Sequence, residues 1–206
     1  ASAFDQDLGW CVDDDVNLDS AFPGTVCSST SCGVAQKHAQ GFCNGYVMTD
    51  STIKAAVAAW LSDSAAAEST YGHISTWDTS GVTDMASLFQ DASYSFSFNE
   101  DIGAWDTSGV TTMNSMFSYA SAFNQDISGW AVHSVKTMKS MFNYASAFNQ
   151  DISGWAIQSV TDMAWMFFGA SAFDQDLGWC VDSGVLTPDG IGYESTFEWS
   201  GCASTS

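Results

Sequence analysis

Residues 102–126 read IGAWDTSGVTTMNSMFSYASAFNQD, residues 127–151 read ISGWAVHSVKTMKSMFNYASAFNQD, and residues 152–176 read ISGWAIQSVTDMAWMFFGASAFDQD. These are tandem copies of one 25-residue unit. A looser copy begins at Ile74, lengthened by an insertion around Tyr94, Ser95 and Phe96. Trp77, Trp105, Trp130, Trp155 and Trp179 mark the period. A unit this short cannot bury its apolar face alone, so successive copies must stack and share a core.

Within one unit, Ile127, Trp130, Val132 and Val135 have the spacing of a leucine-rich repeat. Alternation of Trp130 and Val132 predicts a short strand with both side chains inward. Met138, Met141 and Phe142 recur at helical spacing and predict a short helix with an inward Met/Phe face. Trp130 and Phe142 are expected to be buried between neighbouring coils. The expected fold is therefore an α/β, leucine-rich-repeat-like solenoid of short parallel strands and short helices with disulfide-bonded caps. Its parts are an N-terminal cysteine-rich cap (1–49), a capping helix and linker (50–73), the repeats (74–179) and a C-terminal disulfide cap (180–206). In the second part, Asp50 or Ser51 can cap a helix that places Ile53, Val57, Trp60 and Leu61 on one face. That face predicts a lid on the first coil; a partner-binding helix is the alternative.

The recurring pattern of Trp, Val-Thr, Met, Met-Phe, Ala-Ser and Phe-Asn-Gln-Asp resembles the BspA-like surface proteins. These include bacterial surface lipoproteins and large algal families, grouped as domain of unknown function 285. The likeness is close over residues 72–186, and the cysteine-rich segment and helix ahead of it resemble algal members. The resemblance implies a cell-surface location and no known catalytic activity.

The chain has 24 acidic residues, four lysines and no arginine, for a net charge of −20. That balance excludes nucleic acid and anionic membrane surfaces as partners. Apolar runs fall short of the roughly 20 residues that span a bilayer. The chain opens on ASAFDQD, a repeat fragment, so Ala1 reads as a processed start. The histidines His38, His73 and His133 stand in no nucleophile or metal motif, so no enzyme is expected.

Six cysteines in an acidic, serine- and threonine-rich chain point to an oxidising, extracellular setting. Residues 170–182, ASAFDQDLGWCVD, repeat residues 1–13, and Cys202-Ala-Ser-Thr-Ser parallels Cys27-Ser-Ser-Thr-Ser. Cys11 thus corresponds to Cys180 and Cys27 to Cys202. The consistent pairing is Cys11–Cys27, Cys180–Cys202 and, by remainder, Cys32–Cys43. Zinc held through Cys27 and Cys32 is the competing reading, and no second ligand pair completes it.

Asp101, Asp126, Asp151 and Asp176 recur once per coil beside Asn99, Asn124, Asn149 and Asp174. They can bond backbone N–H groups of their own turns, or adjacent carboxylates can share calcium; beyond calcium no cofactor is expected. An amide ladder would also explain Asn124 and Asn149. The outward strand face should carry Thr76, Asp78, Ser80, Ala104, Asp106, Ser108, Gly129, Ala131, His133, Gly154, Ala156 and Gln158. These offer neither the aromatic platforms of a glycan site nor a protein hot spot.

The expected function is structural: a secreted, homo-oligomeric protein assembling head to tail into filaments. Its ends, Ala1, Phe4 and Trp10 at one and Phe173 and Trp179 at the other, would be fragments of one unit completing each other. A monomeric adhesion or recognition module for protein or glycan is the alternative. Ser28–Ser31 and Ser204–Ser206 are candidates for O-linked glycans. Non-reducing peptide mapping should recover Cys11 joined to Cys27 and Cys180 joined to Cys202; Cys11 joined to Cys180, or six free thiols, would contradict the equivalence.

Overall fold

The computed structural model describes residues 46–90 and 95–179, and the backbone of two residue pairs nearer the N-terminus. Those pairs, β1 (Cys11–Val12) and β2 (Ala35–Gln36), align in parallel with Cys11 opposite Ala35. Two helices follow, α1 (Asp50–Ser62) and α2 (Ser64–Tyr71).

Helix α1 begins with a capping box. The Thr49 side chain accepts from the Thr52 N–H, and the Thr52 hydroxyl oxygen accepts from the Thr49 N–H at 2.8 Å. The N-cap is thus Thr49, ahead of the expected Asp50 or Ser51. Asp50 is free to reach the first coil: its carboxylate accepts from the N–H of Thr83 at 2.7 Å and of Asp84 at 2.9 Å, and from the Thr83 hydroxyl at 2.7 Å. Ile53, Ala56, Val57 and Trp60 form the buried stripe, while Leu61 is only partly covered. Trp60 meets Trp77 edge to face at 6.1 Å. Asp63 ends α1 in an extended conformation and caps α2 through a 3.1 Å bond from the Ala66 N–H. Gly72, at φ 72°, ends α2.

The expected solenoid of parallel strands and short helices is overturned. From residue 74 to 179, the described residues contain no α-helix and no strand. Contact resembling a sheet in this span is confined to isolated parallel bridges: one joins Val47 to Asp78, and the others run Asp84, Thr112, Thr137, Asp162 from coil to coil. The reason lies in the hydrogen bonds. A helix over 138–145 would send each N–H four residues back along its own turn. Instead Met138, Ser140, Phe142 and Tyr144 donate to the carbonyls of Asp162, Ala164, Met166 and Phe168 in the next coil, at 2.7–2.8 Å. Met141, Asn143 and Ala145, each the residue before or after one of these, donate three residues back within the turn, and the Lys139 N–H donates to the Asn114 side chain of the preceding coil. Left-handed residues allow this alternation. Ser87, Ser115, Ser140 and Trp165 have φ of 60°, 53°, 55° and 62°, and Tyr119 and Tyr144 have φ of 65° and 55°.

The burial pattern expected of the strand does appear. Trp105, Thr107, Trp130, Val132, Trp155 and Ile157 are buried, with exposed or half-exposed residues between them. Indoles, not a strand ladder, tie this side of the coils together. The Nε1–H groups of Trp105, Trp130 and Trp155 donate to the carbonyls of Ile74, Ile102 and Ile127 in the preceding coil, at 2.9, 3.2 and 3.1 Å. Buried Thr79 and Thr107 are satisfied in the opposite direction, donating to the carbonyls of Asp106 and Ala131 in the following coil.

The core consists of columns of rings. Phe89, Phe117, Phe142 and Phe167 stack at 5.2, 5.6 and 5.6 Å. Phe98, Phe123, Phe148 and Phe173 stack beside them at 5.8, 6.1 and 5.8 Å. The two columns touch, with Phe117 4.0 Å from Phe123 and Phe142 3.9 Å from Phe148. Each such pair contributes about 0.5–1.5 kcal/mol beyond the area it buries.

Trp130 and Phe142 are both buried, as the repeat predicts. Trp130→Ala should cost about 3–5 kcal/mol in urea unfolding by opening a cavity. Trp130→Phe, which keeps a ring but removes the indole donor, leaves the Ile102 carbonyl with only its bond from the Trp105 N–H and should cost about 0.5–1.5 kcal/mol. An unchanged midpoint for both would contradict the indole tie.

Candidate functional site: an exposed aromatic strip beside acidic turns

The acidic turns are built as local caps. Asp101, Asp126, Asp151 and Asp176 each accept, through Oδ1, the N–H two residues on: Gly103, Ser128, Ser153 and Gly178, at 2.9–3.1 Å. The asparagines beside them link coils. Asn124 N–H donates to the side chain of Asn99, Asn149 N–H to Asn124, and Asp174 N–H to Asn149, at 2.8–2.9 Å. Gln125 and Gln150 reinforce the ladder by donating to the carbonyls of Asn99 and Asn124, both at 2.7 Å. Among the described residues, no three His, Cys, Asp or Glu side chains are grouped so as to hold a metal ion.

The Ser128 and Ser153 hydroxyls, then their N–H groups, hold the carboxyls of Asp126 and Asp151 below the usual carboxylate range. Ser108 does the same for Asp106. For Asp50 the N–H groups of Thr83 and Asp84 lead, followed by the Thr83 hydroxyl. All four pKa values are lowered in the folded chain, so their contribution is present above the unfolded value of about 3.9 and is lost as pH falls through the folded values. The thermal midpoint should therefore hold from neutral pH down to about 5 and drop below about 4. Asp50→Asn should flatten that drop.

Of the other singled-out residues, His73 pairs with the Ser75 hydroxyl at 2.8 Å and lies edge-on to Trp60. His133 is exposed. Phe173 and Trp179 are buried in the ring columns, with Trp179 stacked on Trp155. Ala1, Phe4, Trp10, Cys27, Cys32, Cys43, Cys180, Cys202, both serine runs and the side chain of Cys11 lie outside the described residues, and with them the cysteines of the expected disulfide-bonded caps.

The face that carries Ala104, Asp106, Gly129, Ala131 and Gly154 bears small side chains and was expected to offer no platform, whereas large exposed side chains stand elsewhere. The exposed large apolar side chains among the described residues are Val47, Phe96, Tyr119, Tyr144 and Trp165. Three of these belong to one continuous cluster. Tyr119 (47% exposed) and Tyr144 (43%) stack across adjacent coils at 5.2 Å and 12°. Tyr144 then meets Phe168 at 5.3 Å and 83°, and Phe168 meets Trp165 at 5.1 Å and 75°. Phe96, the most exposed ring at 56%, lies one coil earlier, where its carbonyl accepts from the Ser121 hydroxyl.

The backbone dictates this display. Tyr119 and Tyr144 occupy equivalent left-handed positions, so both side chains leave the turn in the same direction and stack. The next equivalent is Gly169, at φ 72°. A Cβ there would stand 2.5 Å from Cδ1 of Tyr144. The missing side chain is what lets the Tyr144 ring lie over that coil and meet Phe168. The sequence signal was available: two tyrosines one period apart, then a glycine, with Trp165 and Phe168 where the preceding unit has Ser140 and Asn143.

Gly169→Ala should push the Tyr144 ring aside and cost about 1 kcal/mol or more, since alanine resists a positive φ. Loss of ring-current shifts between Tyr144 and Phe168 by NMR would report the displacement; unchanged shifts would contradict the packing.

Comparison with known proteins agrees with the repeat reading. The model of a family described as "Mycoplasma protein of unknown function, DUF285" matches residues 60–179. No match exists among curated proteins or among solved structures. The matched span includes every repeat and exceeds half of the 206 residues, so the chain belongs to the DUF285 family.

Proposed function

We propose that this chain is a non-enzymatic, extracellular surface protein of the BspA-like, algal type, which uses its repeats to display an aromatic contact strip for adhesion or recognition. The strip carries the reading. Three rings of one contiguous cluster, Tyr119, Tyr144 and Trp165, are held 37–47% exposed. Exposed contiguous apolar surface on a folded domain marks a place of contact. Membership in DUF285 and the six cysteines support the surface and extracellular parts. Among the described residues no helix is long and apolar enough to cross a membrane.

The likeness of residues 1–13 to 170–182 supports a second reading, a homo-oligomer that extends as a filament. One pair of measurements separates the two. Beads coated with the protein should adhere to immobilised extracellular matrix, and a Tyr144→Ala/Trp165→Ala double variant should adhere about tenfold less, a loss of about 1.4 kcal/mol. Adhesion unchanged by the double variant would remove the strip from the function. A concentration-dependent mass by light scattering that is indifferent to the double variant would favour the filament.

A further inference from the structure

We infer that the ligand of the aromatic strip is a linear, uncharged polysaccharide, an inference that rests on the recognition reading above. Four features of the strip select this class.

The first is shape. The cluster runs along the stack, with Tyr119 and Tyr144 in adjacent coils and Phe168 and Trp165 together in the next. A stable protein interface covers about 800 Å² on each partner, far more than one row of rings supplies. A chain-like ligand matches a row.

The second is charge. The protein carries a net −20, and the strip itself contains no ionisable acid or base other than two tyrosine hydroxyls. Polyanions, whether nucleic acid or acidic glycan, are repelled. A basic partner would be drawn to the carboxylates of the acidic turns rather than to uncharged rings.

The third is the state of the backbone. A peptide that adds a strand needs unpaired N–H and C=O groups. Here the N–H groups of Tyr119 and Tyr144 already donate to the carbonyls of Asn143 and Phe168, at 2.7 Å each. At the two tyrosines main-chain N–H pairing with a ligand is closed off, which leaves ring contact and side-chain hydroxyls there.

The fourth is the chemistry beside the rings. Two residues after Tyr119, Tyr144 and Gly169 stand Ser121, Ser146 and Ser171, one per coil. Each donates its hydroxyl proton to a carbonyl of the preceding coil, at 3.1, 3.2 and 3.4 Å. With its proton committed, each oxygen keeps lone pairs as an acceptor. The result is a column of acceptors parallel to a column of rings. Saccharides present the same pairing: C–H faces that pack on aromatic rings and hydroxyls along the edge that donate. At one end Phe168 is turned 83° from Tyr144, so its plane runs along the stack instead of across it. That ring and the exposed Trp165 give a sugar face a platform, while the Tyr column offers its edges and hydroxyl tips.

The test is isothermal titration of the full chain with cellohexaose, laminarihexaose and mannohexaose. Polygalacturonate serves as the charged control and a decaproline peptide as the rival linear ligand. At least one neutral hexasaccharide should bind, its disaccharide about tenfold more weakly because it spans fewer coils. Trp165→Ala and Tyr144→Ala should each weaken binding about tenfold, with thermal midpoints within a few degrees of the parent. Binding of decaproline alone, binding that survives both substitutions, or silence of the neutral panel with both variants folded would each overturn the inference. If the panel is silent while bead adhesion still depends on Tyr144 and Trp165, recognition stands and the saccharide falls. If adhesion is also indifferent to them, both fall.

Discussion

A buried amide must find an acceptor, and in this chain the acceptor is in the neighbouring coil. The N–H groups of Met113, Ser115, Phe117 and Tyr119 reach Thr137, Lys139, Met141 and Asn143; the next set repeats the pattern one coil on. The indoles close the other side. Neither half of a coil satisfies itself, so the unit has no stable form alone. Period therefore matters more than local propensity. The insertion in the first unit shows how strictly. Met85 reaches Thr112 just as Met113 reaches Thr137, although the first of these spans is the longer by the inserted residues. Phe98 and Phe123, beyond the insertion, are again one regular period apart and stacked. The extra residues are thus accommodated between Phe89 and Phe98, with the pairing kept on both sides.

This constraint explains what could be read from the residues and what could not. Burial was legible: Ile127, Trp130, Val132, Val135, Met138, Met141 and Phe142 are all inward because the repeat demands an apolar layer. Conformation was not. Met138, Met141 and Phe142 have helical spacing, but spacing reports which side chains face inward, not where the N–H groups go. The deciding feature is a positive φ at Ser140 and Tyr144, and neither residue type announces it as glycine would. The same blindness hid the strip. Recognition was sought on the presumed strand face, whereas Tyr119 and Tyr144 leave the chain at left-handed turns that looked like helix. The turns of Asp126 and Asp151 were readable, because an aspartate two residues ahead of an N–H is a local motif that needs no knowledge of the fold.

Stacking also determines what the surface can be. Any outward residue is presented again at coil spacing, so a repeat displays columns, not isolated groups. The Asn ladder, the serine column and the Tyr pair all have this origin. The last described coil breaks the series: Trp165 and Phe168 replace Ser140 and Asn143, and Gly169 replaces a tyrosine. The strip thereby changes from face-to-face stacking to crossed rings, and its end differs from its middle. A ligand lying along it would meet a direction as well as a row.

The central claim is that bonding runs between coils. It is tested most directly by through-hydrogen-bond scalar couplings in an isotopically labelled sample. The Phe142 nitrogen should couple to the Met166 carbonyl carbon in the next coil, and the Tyr144 nitrogen to that of Phe168. A Phe142 coupling to Met138, within its own turn, would restore the helix and contradict the stack described above.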